Sequence, residues 1–215
     1  MKKTLVSIAC ALLCTFTASA QRASSSSFFS TEKESTPVTL GLRGGLNISN
    51  FGGDVLDIDS KLGFNAGVNV DIPIVKSFGI QTGLFYTSKG AKQSAENNDI
   101  DAEVKINEAY LQIPVLASYR YHINDDVRWE FNAGPYFAFG VGGKIKESFN
   151  NKSYEADWFD DDISSFDMGM ALGTGITVNK FYFGVQYEIG MYNMLKDSEE
   201  SMKNTNFSVN VGYNF

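Results

Sequence analysis

Phe207-Ser208-Val209-Asn210-Val211-Gly212-Tyr213-Asn214-Phe215 closes the chain, and every second residue in it is apolar or aromatic. Successive side chains of a strand point to opposite sides, so strict alternation marks a strand with two unlike faces. The preceding segment obeys the same rule. Phe181, Phe183, Val185, Tyr187, Ile189 and Met191 alternate with Tyr182, Gly184, Gln186, Glu188 and Gly190. Phe166, Met168, Met170 and Leu172 alternate with Asp167, Gly169, Ala171 and Gly173; Val127, Trp129 and Phe131 alternate with Arg128, Glu130 and Asn132. Four earlier segments, near 38–50, 62–73, 78–88 and 107–122, follow the pattern less strictly. Most of these eight strands exceed the ~9–11 residues needed to cross a membrane at a tilt. Strands of a soluble sandwich average only ~5–6 residues.

The connections alternate as well. Short ones fall at Pro73–Ser77, Asn124–Asp126 and Asn179–Lys180, and long polar ones at 51–61, 88–105, 143–165 and 195–204. Short turns on one side and long loops on the other characterise an outer-membrane barrel with its turns in the periplasm. The expected fold is therefore all-β, an eight-stranded antiparallel transmembrane β-barrel over residues 38–215, in the outer membrane of a Gram-negative bacterium.

Composition agrees. The chain has 215 residues, 13% aromatics, 20 Gly, 4 Pro and a formal charge of −7. Its mean hydropathy of −0.15 excludes a bundle of apolar membrane helices but not a barrel, whose signal is dispersed by alternation. An acidic chain lacks the basic footprint of a nucleic-acid binder. The four long connections carry charges of −2, −1, −3 and −1, so most of the acidity faces outward as solvated surface.

Residues 1–20 read as a secretory signal peptide: Lys2 and Lys3, an apolar core from Leu5 to Phe16, then Ala18-Ser19-Ala20. The apolar run is roughly 12 residues, short of the ~20 that span a bilayer as a helix. A lipoprotein signal on Cys10 or Cys14 is the competing reading; bulky Leu13 and the short core that Cys10 would leave argue against it. Removing the signal leaves no cysteine and a charge of −9. Residues 21–37, half of them Ser and Thr, read as a periplasmic tail.

The apolar face of the strands meets lipid and the polar face meets the lumen, which eight strands make just wide enough for side chains to fill. Arg43, Arg120, Arg128, Glu130, Asp167 and Glu188 lie on that polar face with Gln81, Gln112 and Gln186, and the charges are expected to pair, because an unpaired buried charge is costly. Glycines on the same face, such as Gly41, Gly45, Gly63, Gly67, Gly83, Gly169, Gly173 and Gly184, leave room for larger neighbours. Aromatics gather at both rims, Trp129, Tyr119, Tyr121, Phe181, Tyr213 and Phe215 near the turns, Phe64, Tyr86, Phe137, Phe139, Phe166 and Phe207 toward the loops. Pro114 and Pro135 fall inside strands and imply a bulge or a locally unpaired carbonyl.

Those prolines carry a family likeness. Tyr110-Leu111-Gln112-Ile113-Pro114-Val115-Leu116 resembles a strand of the PorT-like outer-membrane β-barrels of Bacteroidetes. Gly41–Asn47 resembles that family's opening strand, Gly79–Gly90 its third and Ala133-Gly134-Pro135-Tyr136 its fifth. The terminal Phe215, with Tyr213 two positions back, resembles the signal read by the bacterial barrel-assembly machinery. The resemblance implies a small outer-membrane barrel, with a secretion-system accessory role in some relatives, and transfers no catalytic residue.

The sequence offers no catalytic, cofactor-binding or metal-binding residue and implies no cofactor. His122, the single histidine, falls at the turn end of its strand, whereas lipid A-modifying barrel enzymes, which this architecture resembles, hold a His near the outer rim. Asp54, Asp57 and Asp59, and the run Asp157-Trp158-Phe159-Asp160-Asp161-Asp162, offer oxygens to Ca²⁺ without the EF-hand spacing, and read as solvated loop charge. Trp158 and Phe159 are expected to be exposed at a loop tip that touches an unidentified surface partner. The expected partners are outer-membrane lipid and lipopolysaccharide, the assembly machinery during biogenesis and that surface contact. The function read from these features is a non-enzymatic, structural or surface-contact barrel; a secretion or assembly accessory and a lipid-modifying enzyme are the alternatives.

Overall fold

The computed structural model describes residues 37–215 apart from 54–58, 98–99, 150–151, 160–162 and 196–199. The signal peptide and nearly all of the Ser/Thr-rich tail, together with Asp54, Asp57 and Asp160 to Asp162, lie outside the described residues. Nine strands follow in order: β1 (Thr39–Gly53), β2 (Asp59–Val75), β3 (Phe78–Asn97), β4 (Ile100–His122), β5 (Val127–Phe149), β6 (Lys152–Asp157), β7 (Phe166–Val178), β8 (Phe181–Gly190) and β9 (Met202–Asn214). Eight of them close a ring, each antiparallel to its neighbours. β1 pairs with both β2 and β9, and the β4–β5 pairing links the two ends of the remaining order. β6 stands outside the ring and folds back on the upper part of β5, above the segment of β5 that pairs with β7.

The wall is uneven. β3, β4 and β5 run 20, 23 and 23 residues, while β8 has 10. The segments 88–105 and 143–165, expected as loops, are in large part ladder. Lys92 pairs with Lys105, Lys105 with Lys146, and Lys146 with Glu155. Above the lipid both faces of a sheet meet water, so the apolar–polar contrast that reveals a strand in sequence disappears while the hydrogen-bond ladder continues. With roughly 10 residues sufficing for the membrane, this wall stands on the order of 20 Å beyond it.

The face assignment holds throughout. Leu42, Leu46, Leu84, Leu172, Val185 and Val209 are outward and exposed, whereas Gln81, Gln112, Glu130, Asp167 and Glu188 are inward and buried. Among the described residues, buried polar ones outnumber buried apolar ones, the inverse of a water-soluble core. Aromatic rings of the lower rim touch across neighbouring strands. Phe78 of β3 meets Tyr119 of β4 at 5.2 Å, Tyr119 meets Phe131 of β5 at 6.4 Å, and Phe181 of β8 meets Tyr213 of β9 at 5.3 Å between ring centroids. The indole N–H of Trp129, otherwise stranded in lipid, donates to Thr174 Oγ1 at 2.8 Å. At the short turns Asn124 Oδ1 accepts from the amides of Asp126 and Val127, and Asn179 takes φ 53°, a left-handed turn position that Asn tolerates well.

Pro114 and Pro135 interrupt ladders without a bulge. The β3–β4 pairs at Gly83 and Leu84 are missing opposite Pro114 and Ile113, and the β4–β5 pairs at Val115 and Leu116 are missing opposite Pro135 and Gly134. The register is the same on either side of each gap. Thr82 Oγ1 donates to the carbonyl of Pro114 at 2.7 Å, so a side chain replaces one of the lost ladder contacts.

Candidate functional site

The inward side chains form two charged tiers beneath a roof. In the lower tier, near the turns, Asp71 pairs with Arg120 and, at 3.3 Å, with Arg128. Glu130 accepts from Arg128 Nε at 2.7 Å, Gln81 Nε2 at 2.7 Å and Thr177 Oγ1 at 3.3 Å, with Arg43 at 3.9 Å. The Arg43 guanidinium lies 3.8 Å over the Tyr182 ring. Gly175 and Gly184, cross-strand partners, make this possible: a Cβ on Gly175 would come within 2.5 Å of the Tyr182 ring, and one on Gly184 would collide with its hydroxyl.

The upper tier centres on Lys89, which is fully buried. Its Nζ is 3.0 Å from Glu188 Oε2, 3.6 Å from Asp167 Oδ2 and 4.5 Å from the Tyr136 ring centroid. Gln112 and Gln186 donate to Glu188 Oε1 at 2.6 and 2.9 Å, and Tyr136 OH donates to Asp167 at 3.2 Å. Asn204 Nδ2 adds 3.3 Å to Asp167 and 3.2 Å to Tyr110 OH. Between the tiers lies a cavity of about 50 Å³ lined by Gln81, Phe85, Gln112, Tyr182, Gln186 and Asn210, space for a few waters and not for a pore.

The roof corrects one expectation. Trp158 and Phe159 are not an exposed tip. They fold inward across the barrel mouth, where Trp158 Nε1 donates to the buried Glu108 Oε1 at 2.6 Å and the indole stacks on Phe51 at 6.0 Å. Phe159 meets Tyr110 edge-on at 5.6 Å and rests on Gly140 and Gly143, whose missing side chains leave the space. Met194, Met202 and Ile106 complete an apolar cap. An aromatic pair gains more by covering this mouth than by standing in water.

All six expected lumenal charges face inward. Reasoning from the sequence missed Asp71, Lys89 and Glu108, and with them Lys61, whose Nζ donates to the Lys89 carbonyl at 3.1 Å. The signal for Lys89 existed: it shares parity with Gln81 and Thr87, and Glu108 shares it with Gln112. His122 is exposed at the turn end, opposite Arg128. Asp59 and Asp157 are exposed strand residues, and among the described residues no group of three His, Cys, Asp or Glu is placed to hold a metal ion. Outside the membrane, hydrogen bonds first from Lys146 and then from Lys144 hold the Glu155 carboxyl below the usual carboxylate range.

The profile of the family described as outer membrane protein beta-barrel domain matches residues 20–196. The chain belongs to that family. Its barrel therefore resides in a Gram-negative outer membrane. Among solved structures, the family member is similar to the attachment invasion locus protein Ail of Yersinia pestis, with 19% identity, TM-score 0.43 and coverage of 84% of this chain and 100% of that one. It is similar to OprG of Pseudomonas aeruginosa at 11% identity and TM-score 0.45, covering 82% and 95%, and to Neisserial surface protein A at 10% and 0.44, covering 84% and 100%. No curated protein matches the chain.

Proposed function

We propose that this outer-membrane barrel is closed and non-enzymatic, and that it has a structural or surface-contact role carried by the wall it raises above the membrane. The single observation behind this reading is the Trp158–Glu108 roof over an ion-paired lumen, which leaves the interior no open path. The β5–β6 hairpin presents Tyr154, 67% exposed, among solvated charges. Kinship with the PorT-like barrels of Bacteroidetes belongs to the same proposal and is supported by the proline-bearing segments Tyr110–Leu116 and Ala133–Tyr136. So do a signal peptide over residues 1–20 and recognition of Phe215 by the assembly machinery.

The test is made on cells carrying a hairpin shortened between Lys146 and Glu155. A single cysteine at Ser153 of the intact chain should react with a membrane-impermeant maleimide on whole cells, and one at Asp125 only after permeabilisation. Shortening the hairpin should change attachment or cell–cell aggregation and leave small-solute uptake unchanged. Altered uptake with unchanged attachment would contradict the proposal.

A further inference from the structure

On the outer surface of the tall wall, just above Tyr86, the side chains shrink. Ser88 of β3, Ala109 of β4 and Gly142 of β5 floor a shallow cleft of about 340 Å³, and a Cβ built on Gly142 meets nothing within 4 Å. Lys144 and Lys146 line its upper edge. The row above is Lys92–Lys105–Lys146, two successive like-charged pairs directly opposed across neighbouring strands. Opposed like charges destabilise a sheet, so this row requires anions close by. Glu103 and Glu155 supply some of that charge: Glu103 lies 2.7 Å from Lys105, and Glu155 bridges Lys146 and, at 3.3 Å, Lys144. Neither lines the cleft. The one acidic residue that does, Glu108, turns its carboxylate inward to Trp158. The two cleft amines share a single carboxylate, Glu155, so one positive charge there is left in excess.

The cleft lies where the lipid-facing surface gives way to water. Below it the Phe64–Tyr86 pair, with ring centroids 5.7 Å apart, and exposed Leu111 and Phe139 continue the apolar face. Above it an ammonium has three donors and each carboxylate uses only part of them. A ligand that matches has an apolar chain below, a compact polar body at the cleft and an anionic group above. We propose that this cleft seats a phosphorylated glycolipid of the outer leaflet, lipopolysaccharide in the outer membrane, with its phosphate on Lys144 and Lys146 and an acyl chain passing beside Tyr86. The inference rests on the outer-membrane placement and is independent of whether the lumen conducts.

The experiment uses the full mature chain refolded in detergent micelles, with native mass spectrometry counting lipid A molecules retained per barrel. Three probes are compared: bis-phosphorylated lipid A, the same lipid with phosphates removed, and inorganic phosphate as competitor. The intact protein should retain the phosphorylated lipid, and the dephosphorylated lipid should bind at least about tenfold more weakly, the effect of losing a charge-assisted hydrogen bond. Lys144→Gln with Lys146→Gln should give the same loss. Gly142→Leu, which fills the cleft where there is open space, should also abolish retention while leaving the barrel folded by its gel shift on heating. Lys180→Glu, at the turn end, should change nothing. Equal retention of both lipids, full retention by Gly142→Leu, or complete displacement by inorganic phosphate, which would mean a free-anion site, each overturns the proposal.

Discussion

Trp158 of the surface hairpin segment donates its indole N–H to Glu108, a buried carboxylate on β4, at 2.6 Å. The two residues are 50 positions apart, and the bond ties an element that stands outside the barrel ring to the wall of the mouth. Trp158→Ala removes the donor, the stack on Phe51 and the cover over Glu108 together. The expected loss is about 2–4 kcal/mol in urea unfolding of the micelle-bound barrel, with Trp158→Phe recovering the stack but not the bond.

Lys89 is the ammonium shared by Glu188 and Asp167. Lys89→Met leaves both carboxylates buried in the upper tier without it, and should destabilise the barrel by about 3–5 kcal/mol. The double variant Lys89→Met with Glu188→Gln should be more stable than the sum of its single changes implies, because the second change removes one stranded charge. Additive losses in the same unfolding assay would mean that the two residues do not interact.

How much of this was legible in the sequence depended on whether a face met lipid. Leu172 and Val185 alternate with Gly173 and Gln186 because lipid and lumen demand opposite chemistry, and the eight-stranded ring, its two faces and the inward set Arg43, Arg120, Arg128, Glu130, Asp167 and Glu188 followed from that contrast. Lys89 was hidden because the apolar half of the alternation fades after Tyr86, where the outward positions become Ser88, Gly90 and Lys92. Asp71 was hidden beside a proline that suggested a turn. The inward fold of Trp158 and Phe159 has no periodic trace at all. It depends on Gly140 and Gly143, 15 to 19 residues away, and on a bulge at Val141 that lets both glycines face the mouth.

Two glycines separate packing from propensity. Gly175→Ala brings a methyl group to 2.5 Å from the Tyr182 ring and should cost about 1–3 kcal/mol. Gly142→Ala meets nothing and should stay within about 0.5 kcal/mol of the parent. Thermal unfolding followed by gel mobility distinguishes them; equal effects would contradict the described interior.

The lipid face is tested at a neighbouring pair. Leu172→Arg places a charge in hydrocarbon near mid-strand and should cost about 2–4 kcal/mol. Gly173→Ser, on the lumen side, meets the Val185 carbonyl at 3.0 Å and should be milder than the arginine change. Equal tolerance of arginine at 172 and 173 in refolding titrations would contradict this assignment of the faces.

The closed lumen is the central claim, and conductance across a planar bilayer measures it most directly. The lower tier, Tyr182, the Lys89 cluster and the Trp158 roof stand in series along the axis, so removing the roof alone still leaves three obstructions. Purified, refolded protein should show no steady conductance, and the Trp158→Ala variant should remain silent as well. Stable, porin-sized openings in the unmodified protein would contradict the account.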